Sequence, residues 1–170
     1  MRITGGEFKG RRLFAPRGLD IRPTSDRVKE AVFNILGPLQ DKPNVLDLFA
    51  GTGALGLEAL SRGAEQAVFV DRSLKALAAI RKNIEMLDLQ GRTRVVRANL
   101  PGLPKGLKEL GPFDLIFLDP PYGRGLAGRS LALAAGMNLT APGATALVEH
   151  APSEELESAG PGWRLVRSRA

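Results

Sequence analysis

Cysteine is absent from this 170-residue chain, and histidine occurs once, at His150. The first absence excludes disulfides, thiolate-bound zinc, iron–sulfur clusters and thiol nucleophiles; the second leaves no histidine-based site, so no metal site is expected. Long apolar runs are missing too. The uncharged stretch 130–148 is interrupted by Asn138, Thr140, Pro142 and Gly143, and reads as helix, turn and strand rather than a membrane span. The opening MRITGGEFKGRR has no apolar core of a secretory signal, so a cytoplasmic protein without a membrane partner is expected.

What is present describes one globular domain. A hydrophobic content of 44% with 25% charged residues suits a packed core, and the length suits a single domain of ordinary size. The net charge of +6 is unevenly placed. Residues 1–30 carry eight Lys/Arg against four Asp/Glu, residues 160–170 carry three Arg and no acid, and the stretch between them is close to neutral. Basic ends on a neutral body fit a polyanionic partner such as nucleic acid, although a merely solvated surface would look the same. Arg outnumbers Lys 17 to 7, which favours planar phosphate contacts.

The chain divides at about residue 22. Residues 1–22 open with short alternating pieces, Arg2–Thr4 and Arg11–Phe14, separated by Gly5, Gly6 and Gly10; they read as a basic hairpin or extended arm, too polar to form a core of its own. In the domain proper, 23–170, Thr24, Ser25 and Asp26 offer helix caps, and Val28, Ala31, Val32, Ile35 and Leu36 recur at helical spacing as far as Gly37-Pro38. Strand-like runs then follow at Val45–Phe49, Ala67–Val70, Arg94–Arg97, Asp114–Leu118, Ala144–Glu149 and Arg164–Arg167. Helical periods separate them at Ala54–Ser61, Leu74–Leu87, Leu103–Leu110 and Leu126–Met137. This alternation predicts an α/β, Rossmann-like fold: a mostly parallel twisted sheet with helices on both faces, and ligands outside the carboxyl ends of the strands.

Chemistry is accordingly expected just after each strand. Asp47-Leu48-Phe49-Ala50-Gly51-Thr52-Gly53 is a glycine turn between strand and helix, and Asp71 ends the second strand twenty residues past Gly51, where a carboxylate can accept from both hydroxyls of a ribose. A nucleoside-bearing cofactor follows. Asp47 favours S-adenosylmethionine (SAM) over a dinucleotide, because an acid here repels pyrophosphate and attracts an ammonium or sulfonium. After the fourth strand, Asp119-Pro120-Pro121-Tyr122 provides an extended, acceptor-rich clamp: the Asp119 carboxylate and the Pro120 carbonyl suit an exocyclic amino group, and Tyr122 gives a flat face for an unstacked base. Arg124 and Arg129 come next and either hold flanking phosphates or are simply solvated. Asn83 reads as a surface residue or a local hydrogen-bonding one.

These motifs combine into a more specific pattern. Residues 3–13 (ITGGEFKGRRL), 22–36 (RPTSDRVKEAVFNIL), 47–64 (DLFAGTGALGLEALSRGA) and 113–122 (FDLIFLDPPY) together resemble the bacterial 16S ribosomal RNA guanine-N2 methyltransferase family over nearly the whole chain. The resemblance implies a seven-stranded SAM-dependent fold and methyl transfer to N2 of a guanine in the small ribosomal subunit by a monomer. It also implies a cofactor site of Asp47, Phe49, Gly51, Gly53, Asp71, Asn99, Thr24 and Arg27, catalysis by Asp119, Pro120 and Tyr122, and RNA contacts from Arg2, Lys9, Arg11, Arg12, Arg124 and Arg129. Two departures stand out. Asn99 occupies the place where similar proteins often carry Asp, and only one strand-like run follows Ala144–Glu149, so an unusual sheet edge or a shortened chain is expected. The rivals are N6-adenine methylation of DNA or RNA, since the clamp suits any exocyclic amino group, a catalytically inactive RNA-binding module, and a nicotinamide-dependent dehydrogenase.

Overall fold

The structure, a computed structural model, describes residues 1–16, 25–121, 123–150 and 162–168. Five strands, β1 (Asn44–Leu48), β2 (Gln66–Asp71), β3 (Thr93–Arg97), β4 (Phe113–Leu118) and β5 (Thr140–Val148), form one sheet in the order β3-β2-β1-β4-β5, all neighbours parallel. The helices are α1 (Asp26–Leu36), α2 (Ala54–Ser61), α3 (Leu74–Met86) and α4 (Leu126–Gly136). The expected doubly wound α/β architecture is therefore present, with five strands among the described residues rather than seven. No helix among those residues is long and apolar enough to cross a membrane.

Strand alternation builds two cores. Val45, Phe69, Leu115 and Phe117 face α1, α2 and α3 through Phe33, Leu57, Leu60, Leu77 and Ile80. Leu46, Leu48, Val68, Val70, Ile116 and Leu118 point the other way, toward Leu131 and Ala134 of α4. The helices after β1 and β2 thus cover one face and the helix after β4 covers the other. The strand order reverses between β1 and β4, and in sheets of this kind ligands bind outside the carboxyl ends of the strands at that switch point.

Three local expectations fail. The period at Leu103–Leu110 forms a 3₁₀ segment, Lys105–Leu110, because Pro101, Pro104, Gly106 and Gly111-Pro112 leave no room for an α-helical ladder. Arg164–Arg167 is not a strand: Leu165 and Val166 are adjacent rather than alternating and both are exposed, while the segment is anchored by Trp163, whose Nε1–H donates to the Leu131 carbonyl at 3.2 Å. In α1 the buried stripe is Lys29, Val32 and Phe33, one position round from that expected, and Val28 is exposed.

The shift in α1 traces to the arm. Residues 1–13 form a tight antiparallel hairpin, with a bridge between Arg2 and Arg12 and a bond from Ile3 N–H to the Arg11 carbonyl at 2.9 Å. Its alternation puts Ile3, fully buried, and Leu13 into the first core. All eight residues of α2 are consequently buried, with the sheet on one side and the hairpin on the other. The arm lacks a core of its own and shares that of the domain.

Candidate functional site

At the end of β1 the chain turns sharply. Phe49 takes a left-handed φ of 60°, which a β-carbon disfavours, followed by Gly51 at 57° and Gly53 at 76°, the latter the N-cap of α2. Gly56 packs α2 onto β2 so closely that a β-carbon there would lie 2.4 Å from Phe69 Cε1. The amides of this turn are satisfied by carboxylates. Gly56 N–H donates to Asp47 Oδ2 and Gly51 N–H to Asp71 Oδ2, both at 2.9 Å. The other Asp71 oxygen accepts from Ser73 N–H at 2.8 Å, and Ser73 in turn caps α3 through Ala76 N–H. Each Asp71 oxygen keeps a second lone pair for a ligand hydroxyl.

Asp47 lies on the α2 face of β1 and is almost completely buried. Burial pushes its carboxyl well above the usual carboxylate range; the Gly56 N–H pulls the other way, and the negative charges of Asp119 and Asp71 raise it further. Three strand ends thus bring the carboxyls of Asp47, Asp71 and Asp119 close enough to interact. An acidic cluster of this kind attracts a cation and repels a phosphate.

The remaining predicted residues fall in different settings. Asp119 is half-buried and Pro120 buried, directly after β4. Phe49 is half-buried against the second core, and Asn99 is exposed two residues past β3. Arg27 is exposed on the first turn of α1. Tyr122 and Thr24 lie outside the described residues. Arg124 and Arg129 are exposed at the entry to α4 and on its first turn. On the arm, Lys9 and Arg12 are exposed, whereas Arg2 is held by Asp26 (Nε to Oδ2, 3.1 Å) and Arg11 donates to the Met86 carbonyl at the end of α3 (2.8 Å).

Sequence reasoning missed three buried polar residues. Glu58 of α2 accepts from Thr4 N–H, Thr4 Oγ1 and Gly5 N–H at 2.7–2.8 Å and from Arg62 Nε at 2.8 Å. Lys29 of α1 reaches the Arg2 carbonyl, Asp26 at 3.3 Å and Glu58 at 3.8 Å. Asn83 is neither at the surface nor locally bonded: its amide joins Phe14 to Thr52. Two signals were available. Asn83 falls on the apolar stripe of Leu77, Ile80 and Ile84, and Glu58 is the lone charged residue of α2, whose other residues are apolar apart from the terminal Ser61.

A doubly wound parallel sheet with a glycine turn above an acidic first strand and a carboxylate closing the second is the fold of a Rossmann-like methyltransferase. Comparisons narrow that class. Over its full length the chain is 37% identical to Ribosomal RNA small subunit methyltransferase D of Escherichia coli (99% of this chain, 84% of the relative) and 33% identical to that of Haemophilus influenzae (99% and 88%). The solved structure of Escherichia coli yhhF superposes with a TM-score of 0.83 at 37% identity, over 100% of this chain and 91% of that one. The family described as Conserved hypothetical protein 95 matches residues 1–170, and the chain belongs to it.

Proposed function

We propose that this protein transfers a methyl group from SAM to the exocyclic N2 of a guanine in the 16S RNA of the small ribosomal subunit. On this view residues 1–22 are an RNA-binding extension of a methyltransferase domain, 23–170, acting as a monomer. The observation that carries the cofactor is the occupancy of the glycine turn. The Gly51 and Gly56 amides, which a dinucleotide would use for its pyrophosphate, already donate to Asp71 and Asp47. A donor without phosphate, bearing an ammonium and a sulfonium, matches the acidic cluster of Asp47, Asp71 and Asp119. Small-subunit RNA as substrate is supported by the two relatives that carry that activity in their names.

When bound, SAM supplies an electrophilic methyl group on a positively charged sulfur. The residues of this chain then have three tasks. Asp71 accepts from the ribose hydroxyls, Phe49, Gly51 and Gly53 shape the pocket wall, Asp47 fixes the turn through Gly56 and offers an acceptor to the ammonium, and Asn99 accepts from the adenine amino group; Thr24 and Arg27 complete the set. Asp119 and the Pro120 carbonyl accept hydrogen bonds from the two N2–H groups of guanine, which frees the nitrogen lone pair to point at the methyl and stabilises the positive charge that develops there; the methylated nitrogen then releases one of its two protons to solvent. Tyr122 stacks on the base, while Arg2, Lys9, Arg11, Arg12, Arg124 and Arg129 meet the phosphates. No strong base is required, in keeping with a chain that has one histidine and no cysteine.

The test is transfer of labelled methyl from SAM to small-subunit RNA, followed by digestion and mass spectrometry of the nucleosides. N2-methylguanosine is the expected product, and N6-methyladenosine would establish the rival instead. Asp71→Ala should weaken SAM binding at least about tenfold, since each charge-assisted hydrogen bond is worth ~1.5–3 kcal/mol. Asp119→Ala should keep SAM binding and lose turnover; near-wild-type turnover in that variant would refute the clamp.

A further inference from the structure

Asn83 is fully buried in α3 and its carboxamide faces two different parts of the molecule. Its Oδ1 accepts from Phe14 N–H at 2.6 Å, and its Nδ2 donates to the Phe14 carbonyl at 3.0 Å and to the Thr52 carbonyl at 3.1 Å. Both amide hydrogens and one lone pair are therefore engaged. Toward Phe14 the side chain acts as a strand would, pairing with both backbone groups of one residue at the end of the hairpin. Toward Thr52 it grips the peptide between Gly51 and Gly53, whose positive φ values make this the part of the turn with least support from regular structure. Two further contacts join the same parts: Thr52 Oγ1 lies 3.7 Å from Met1 Sδ, and the Lys82 ammonium sits 3.9 Å from the Phe14 ring centroid.

A buried asparagine that only stapled the core would need partners anywhere within it. This one has a single residue of the arm at one end and the middle of the glycine turn at the other. We infer that Asn83 is a positioning residue of the cofactor site, holding the Thr52 carbonyl in register with the arm, so that the seating of the N-terminal hairpin sets the affinity for SAM. This rests on the cofactor proposed above. The hairpin thus becomes a wall support of the cofactor site as well as a carrier of positive charge.

Asn83→Asp is the informative variant, because it keeps the shape and the acceptor for Phe14 N–H but loses both donors. SAM affinity measured by calorimetry should fall at least about tenfold in it, the order expected for losing a buried donor. Leu131→Ala, a cavity variant on the opposite face of the sheet, supplies the control: it should lower the melting temperature and leave SAM affinity within about twofold of wild type. Folded Asn83→Asp with wild-type affinity would overturn the inference, as would an equal loss of affinity in Leu131→Ala. Should the Asn83 variants not fold, amide exchange in the wild type decides the matter. SAM should slow exchange at Phe14 together with Gly51 and Gly53, and slowing confined to the glycines would overturn the link to the arm. A wild-type protein that bound no SAM at all would instead overturn the proposed cofactor, and this inference with it.

Discussion

Asp47 shows how a single carboxyl serves the turn above it and strains the fold below it. Its Oδ2 anchors the first turn of α2 through Gly56, yet the group is buried and faces the charges of Asp119 and Asp71. With its pKa raised above the ordinary 3.8, the folded protein holds a proton that the unfolded chain has already released. Stability therefore declines as pH rises from that value through the folded pKa. Asp47→Asn keeps an acceptor for Gly56 and cannot ionise. Its stability relative to wild type should grow across that range, and urea unfolding at a series of pH values from about 4 to about 8 measures the difference. A constant gap across the range would show that Asp47 is not perturbed.

Among the elements, the contact between hairpin and α2 depends on the absence of a side chain at one position. A β-carbon on Gly6 would lie 1.8 Å from the Ser61 carbonyl oxygen, with Glu7 N–H bonded to that same oxygen at 2.7 Å. Gly10, at the other corner of the hairpin, has a similar positive φ (86° against 76°) and nothing within 4 Å. Gly10→Ala should cost only the backbone term, about 1–2 kcal/mol. Gly6→Ala should cost clearly more, because the hairpin must also lift from α2 and leave Glu58 without its amide donors. Chemical denaturation of the two variants compares them directly; equal losses would mean that the hairpin adapts at no expense to the contact.

For the whole molecule, the hairpin cannot be treated as a removable tail. Deleting it would take Ile3 and Leu13 out of the core, expose α2, strip the buried Glu58 of its Thr4 and Gly5 donors and leave the buried Lys29 without the Arg2 carbonyl. The RNA role of its charges is better tested by substitution at the surface. Lys9→Gln with Arg12→Gln removes two exposed cations without touching the core. If both meet phosphates of single-stranded RNA, the slope of log affinity against log salt should flatten by about 1.4, at ~0.7 per contact, with SAM affinity unchanged. An unaltered slope would assign the phosphate contacts to other basic residues.

The sequence by itself determined what depends on near neighbours. Short runs of β-branched and apolar residues located β1 to β5, helical spacing located α2, α3 and α4, and the glycines after Asp47 marked the turn, because each signal arises from residues a few positions apart. The positions of Asp71 and Asp119 at strand ends were legible for the same reason. Only the tertiary structure decided which way Lys29, Glu58 and Asn83 point. Apart from the local pairs Lys29–Asp26 and Glu58–Arg62, their partners lie 27 to 69 residues away along the chain, as with Lys29 and Arg2 (27 apart), Glu58 and Thr4 (54 apart) and Asn83 and Phe14 (69 apart). A charge or amide on a helix is read as solvent-facing until something arrives to satisfy it. Here the hairpin arrives, and its backbone amides and carbonyls make burial of those groups cheaper than exposure.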